Sequence, residues 1–216
     1  MKAMRHNDAR RKRLVFVTSL VVLLGLAWAV PARANSFGGQ AYSAYVYIPP
    51  TLLTPGVGPL YIADTGPLPA DGGWSGATLE GTTLPSVLTA ETLVAATSGA
   101  LYDTGVSQAN SSTSLANVVV LPAQPAQITA SFTQAQADVT DLGASGGSQI
   151  SDLTFAGIPV QVTGLPNQIV SLPGVATLNI NEQTATAQGI VVNALHLVLA
   201  TGGEIIVSSA KSSIAQ

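Results

Sequence analysis

No cysteine occurs anywhere in the 216 residues, which excludes both a disulfide framework and a thiolate metal site. A chain of this length buries one good core without covalent staples. Basic residues are nearly missing as well. Seven of the eight Lys and Arg lie in the first 34 positions, and only Lys211 follows. Against it stand Asp64, Asp71, Glu80, Glu91, Asp103, Asp138, Asp141, Asp152, Glu182 and Glu204, one cation against ten anions, so residues 35–216 carry a formal charge of −9. Such a surface repels phosphate backbones and excludes nucleic acid as a partner. It repels an anionic lipid surface in the same way. Histidine is equally scarce: beyond the first 34 residues only His196 remains, and a His-rich zinc site is excluded.

What is present begins with an address. MKAMRHNDARRKR carries six Lys or Arg, LVFVTSLVVLLGLAWAV is a 17-residue apolar run, and PARA supplies small residues at Ala32 and Ala34. This order is that of a secretory signal peptide, residues 1–34, with cleavage expected between Ala34 and Asn35. The apolar run approaches the ~20 residues of a spanning helix, so a retained N-terminal anchor is the alternative. A membrane enters the expected partners only through that retained leader.

Beyond it the apolar period is two. AYSAYVYI, SLANVVVLP, QITASFTQAQADV, ISDLTFAGIPVQV, QIVSLP, ATLNINEQTATA, GIVVNALHLVLA and GEIIVSSAKSS are short, rich in Val, Ile and Thr, and separated by Gly, Pro, Asn or Asp. Two further candidates are LYIA and LTAETLVAAT. This pattern predicts an all-β, antiparallel sandwich, a single domain over residues 35–216. The segment from 54 to 76, dense in Pro and Gly, reads as turns around LYIA.

Several residue groups invite a chemical reading. Asp64-Thr65-Gly66 and Asp103-Thr104-Gly105 repeat the triplet of aspartic peptidases, whose paired aspartates share one proton. Their spacing of 39 residues is too short for two lobes, and D-T-G is also an ordinary turn. Asp138, Asp141 and Asp152 surround a Gly/Ser loop and form a candidate calcium site, against the alternative of acids solvating a hairpin; no other cofactor is implied. Trp74 in DGGWSG, with Asp71 beside it, offers a stacking face to a glycan.

In VVNALHLVLA, strand geometry places Asn193 with Leu195 and Leu197 on one face and His196 on the other. The two polar groups are therefore not expected to meet. No serine sits in a G-x-S-x-G elbow. His196 reads as a buried, hydrogen-bonded structural group, or as one half of a carboxylate–imidazole pair with Glu182.

Four segments in order, QITASFTQAQAD, ISDLTFAGIPV, PNQIVSLPGVATLNINEQ and GIVVNALHLVLATGGEIIVSSAKSS, resemble the choice-of-anchor P family of bacterial secreted and surface proteins. The most specific parts are Asn181-Glu182-Gln183, Val192-Asn193-Ala194-Leu195-His196 and Ala210-Lys211, and the likeness covers most of residues 37–214. It implies an exported domain attached by various C-terminal sorting signals, with no known reaction and no catalytic residues. After Lys211 this chain has only SSIAQ, without an apolar tail or sortase motif. Release, or retention by the leader or a partner, is the expectation. Asn181, Glu182, Asn193 and His196 then read as polar positions that define the β core.

The expected function is accordingly non-enzymatic: a secreted or cell-surface protein, structural, adhesive or self-assembling, whose partners are envelope components or its own copies. The tyrosines at 42, 45 and 47 suggest an N-terminal strand free to pair with a neighbouring subunit. A glycan-binding module is the alternative reading. A carboxylate-dependent hydrolase is the third.

Overall fold

The computed structural model describes residues 35–52, 55–103 and 105–215; the leader lies outside them. Fifteen strands follow in chain order among these residues: β1 Ser36–Ile48, β2 Val57–Asp64, β3 Gly73–Leu79, β4 Thr82–Leu84, β5 Leu88–Ala90, β6 Leu93–Leu101, β7 Ser107–Val120, β8 Ile128–Thr140, β9 Gly143–Ser151, β10 Thr154–Phe155, β11 Ile158–Pro159, β12 Gln168–Leu172, β13 Ala176–Ala185, β14 Gly189–Leu199 and β15 Glu204–Ala215. They form two antiparallel sheets packed as a β-sandwich. One has six strands in the order β12-β13-β14-β15-β1-β2. The other has nine, in which β3, β6, β7, β8 and β9 lie side by side, β4 and β5 extend from β7, and β10 and β11 extend from β8. Both apolar clusters and every strand fall within residues 36–215, so this unit carries its own core.

The alternating sequence explains most strands directly. In β8, Ala135, Ala137 and Val139 point inward while Gln134, Gln136 and Asp138 point out, the period-two pattern of a half-buried strand. Two strands depart from the expectation. DGGWSG is not a loop, because Gly73–Leu79 pairs with β6 along its whole length. The Gly/Ser stretch after Asp141 is likewise strand β9, paired with β8 from Gly143 to Ser151. Low β-propensity there is overridden by pairing, and the small side chains serve packing: a Cβ on Gly146 would stand 2.5 Å from Val192 Cγ2 of the opposite sheet.

Alternation also breaks in register across the six-stranded sheet. The row Ile180–Leu195–Val207–Ala44–Ile62 and the row Glu182–Asn193–Ser209–Tyr42–Asp64 are both paired. Between them one residue of each strand drops out of the ladder: Asn181, Ala194, Ser208, Ser43 and Ala63. Three of these, in alternate strands, have left-handed backbone, with φ of 51° at Asn181, 57° at Ser208 and 47° at Ala63. The inward side therefore changes parity. Ile190, Val192 and Ala194 face one buried cluster, and Leu195 and Leu197 face the other.

Hydroxyls bridge the two sheets along this seam. Ser43 Oγ and Thr113 Oγ1 are 3.3 Å apart, and Thr133 Oγ1 and Ser208 Oγ 2.9 Å. Further on, Ser212 Oγ donates to Ala137 O at 2.9 Å and Ser111 Oγ to Lys211 O at 2.6 Å. A side chain as short as serine reaches the opposite backbone only where the sheets come close. Ala, Ser and Gly at these positions permit that approach.

Candidate functional site

The parity change builds a polar group of Glu182, Asn193 and His196 on the outer face of the six-stranded sheet. Because Ala194 and Leu195 both face inward, Asn193 and His196 both face out. The expectation that they occupy opposite faces is corrected: strict alternation fails at one residue, and the faces of the strand exchange. Glu182 Oε2, on the neighbouring β13, accepts from Asn193 Nδ2 at 2.6 Å and lies 2.8 Å from His196 Nδ1. On the other side, His196 Nε2 stands 2.9 Å from Glu204 Oε1 of β15. The second contact is an ion pair in distance without hydrogen-bond alignment.

The imidazole is thus held between two carboxylates. Its side chain is only 15% exposed, against 27% for Glu182 and 38% for Glu204. Burial works against a charged ring, but the bond to Glu182 and the charges of Glu182 and Glu204 outweigh it, and His196 titrates above its ordinary 6.5. The bond from His196 holds Glu182 below its ordinary 4.5, against its partial burial and with help from Asn193. With Nδ1 bonded to Glu182, Nε2 beside Glu204, and the charged form of the ring favoured more than in a free histidine, the arrangement pairs opposite charges and links three strands. Asn181 sits at the seam itself, where its Nδ2 donates to Gly164 O at 3.1 Å and its Oδ1 accepts from Gln183 Nε2 at 3.1 Å.

Next to this clamp lie three tyrosines. Tyr61 packs edge-on against Tyr42 with ring centroids 5.0 Å apart and tilted against Tyr45 at 4.9 Å. Tyr61 lies on β2, whereas Tyr42 and Tyr45, with Tyr47, lie on β1, which pairs with β15 on one side and β2 on the other. β1 is not a free edge, and the expectation that it pairs with a neighbouring subunit is corrected by that double pairing.

The aspartates go to separate places. Asp138 lies on the outer face of β8 and accepts from Asn110 Nδ2 and from Gln136 Nε2, the latter at 2.8 Å. Asp141 occupies the β8–β9 turn and accepts the Ser107 N–H at 2.7 Å. Asp152 follows β9 and accepts from Ser131 Oγ. Since β9 runs beside β8, Asp152 sits about seven residues, or ~23 Å, along the strand from Asp138. The three carboxylates do not converge, so the expected calcium grouping is corrected. Among the described residues no three His, Asp or Glu side chains are placed to share a metal ion.

Asp64 ends β2 on the six-stranded sheet, with Gly66 just after it, while Asp103 and Gly105 lie between β6 and β7 on the nine-stranded sheet. Asp64 Oδ1 accepts the Gly66 N–H at 3.0 Å and Gln40 Nε2 at 2.9 Å. Gly105 donates to Tyr102 O at 2.8 Å in the hairpin joining β6 and β7. Both glycines have positive φ, 67° and 79°.

Trp74 stands on β3, on the outer face of the nine-stranded sheet, and is 73% exposed. Its ring lies along the strand over Gly76, where an added Cβ would be 2.5 Å from Cη2 and 2.6 Å from Cζ2. Asp71 lies in the preceding turn and is exposed, while the indole extends the other way along its strand. From Trp74 the face continues as Ser98, Asn110, Asp138 and Ser145, directly paired across five strands. The adjoining row is Gly76, Ala96, Ser112, Gln136 and Gly147. Over β8 and β9 this face is hollowed into a groove of about 390 Å³, lined by Gln134, Gln136, Asp138, Ser145, Gly147 and Gln149 among others. Sequence reading found Trp74 but not this face, since β9 and the first half of β7 have the composition of loops. In comparisons with known proteins, no family model, no curated protein and no solved structure matches the chain.

Proposed function

We propose that the protein is an exported, non-enzymatic module of the cell envelope or the secreted fraction, acting by adhesion or self-assembly. The observation that carries this reading is the outer face of the nine-stranded sheet. It spans five strands, is lined by Ser, Asn, Gln, Gly and Ala, and holds one carboxylate, Asp138, in the two rows that run from β3 to β9. A broad, ordered, nearly uncharged polar surface suits repeated hydrogen bonding to an extended partner. The clamp around His196 supports the non-enzymatic side, because its ring is spent on Glu182 and Glu204. The leader read from residues 1–34 and the likeness to exported surface proteins agree with it.

The test is depletion of purified residues 35–216 from solution by an insoluble envelope fraction, with light scattering of the unbound material. Sedimentation with the fraction, or growth into large species, is the expected result. A monomer that stays wholly in the supernatant overturns the reading.

A specific observation favours glycan binding as the second reading. Trp74 is largely exposed and its indole reaches over Gly76, which leaves room for it, and an exposed indole is a surface on which the apolar face of a pyranose stacks. Binding of any soluble glycan that vanishes in Trp74→Ala is its expected signature.

A further inference from the structure

We propose that the row Trp74–Ser98–Asn110–Asp138–Ser145 is the binding site for a neutral oligosaccharide, laid across the strands of the nine-stranded sheet rather than along them. The proposal rests on the glycan reading and adds the site, the direction and the ligand class.

The direction comes from the pairing. Trp74 and Asp138 lie three strands apart in one register row, a span of about 14 Å, the reach of a short oligosaccharide. Between them lie Ser98 and Asn110 in this row and Ala96 and Ser112 in the next, all shorter than the indole, and the Asn110 amide is bonded to Asp138. Beyond Asp138 the groove over β8 and β9 continues the track. Its lining of Gln134, Gln136, Ser145 and Gln149 supplies amides and hydroxyls that both donate and accept, as sugar hydroxyls require.

Asp138 is held for the part. Asn110, across on β7, and Gln136, two residues back on β8, each donate to one of its oxygens, which fixes the plane of the carboxylate. Each oxygen retains acceptor capacity for a hydroxyl donor, and a pair of vicinal hydroxyls matches that geometry.

Charge selects the class. The 35–216 chain has a single cation, Lys211, on the other sheet, so nothing on this face offsets the charge of a uronate, sulfate or phosphate polymer, and Asp138 repels one. Gly76 is part of the site, because any Cβ there would push the indole off its seat.

Trp74 is the only tryptophan of residues 35–216, so its own fluorescence reports the site. The experiment titrates this chain with cellohexaose, chitohexaose and maltohexaose, with polygalacturonate and dextran sulfate as charged probes, and repeats productive titrations by calorimetry on variants. The expected result is an emission change with a neutral hexasaccharide and none with either polyanion. Affinity falls about tenfold in Asp138→Ala and in Trp74→Ala, and Gly76→Val weakens it with an unchanged melting temperature. No response to any neutral probe at millimolar concentration overturns the glycan reading and the site together. Binding that Trp74→Ala abolishes but Asp138→Ala and Gln136→Ala leave intact overturns this site alone. Preference for a polyanion overturns the ligand class.

Discussion

Asn193 and His196, three residues apart on one strand, meet at a single oxygen, Glu182 Oε2, at 2.6 and 2.8 Å. A regular strand would send them to opposite faces. Their convergence means that the strand exchanges its faces between them, and the exchange is shared by all five strands from β13 to β2. The clamp on His196 is thus a product of the seam beneath it.

Stability should follow pH through this clamp. His196 titrates above its ordinary 6.5, so its contribution is complete below that value and fades as pH rises through the raised one. Glu182 titrates below its ordinary 4.5, so its contribution is complete above that value and is lost as pH falls through the depressed one. Both are fully present only between 4.5 and 6.5. Thermal melts across pH are expected to peak in this window. His196→Ala should cost about 2 kcal/mol there and much less at pH 9; an equal loss at both pH values would contradict the clamp.

The left-handed positions of the seam respond in opposite senses to two substitutions. Ala63, at φ 47°, carries the strain of a side chain in that region, and Ala63→Gly should raise the urea midpoint by an amount worth about 0.5 kcal/mol. Ser208→Val places a β-branched residue at φ 57° and strands the buried Thr133 hydroxyl. A loss of about 3 kcal/mol is expected.

Close approach of the sheets is testable at Gly39. A Cβ there would lie 2.2 Å from Thr97 Oγ1 and 3.1 Å from Ser111 Oγ. Gly39→Ala should cost about 2 kcal/mol, and less in a Thr97→Ala background, where the obstructing hydroxyl is gone. A double-mutant cycle in denaturant measures the difference; strict additivity would mean the sheets do not press together here.

Calcium should leave the fold unchanged. Asp138, Asp141 and Asp152 each have their own donor and stand apart along β8 and β9. Melting temperatures in millimolar calcium and in excess chelator are expected to coincide, whereas ligand binding to the native state would raise the first.

Much of this molecule was legible in its residues alone. The absence of cysteine and the near absence of basic residues bounded the chemistry. Alternating Val, Ile and Thr between Gly and Pro breaks specified antiparallel strands, and from these followed the sandwich. Those signals are local, and so is the physics behind them: turn residues and pleated side-chain alternation act over a few positions. Two features needed the whole fold. β9, written as GASGGSQIS, has no strand propensity of its own, and becomes a strand because β8 offers a hydrogen-bonding edge and Val192 leaves room only for glycine at 146. The pairing of Glu182, Asn193 and His196 depends on parity, and parity assumes that every residue of a strand is extended. Ser208 abandons that conformation where the two sheets close on each other, and its hydroxyl there meets that of Thr133, 75 residues away. No short window of sequence contains that contact, so only the tertiary structure could decide which polar groups share a face.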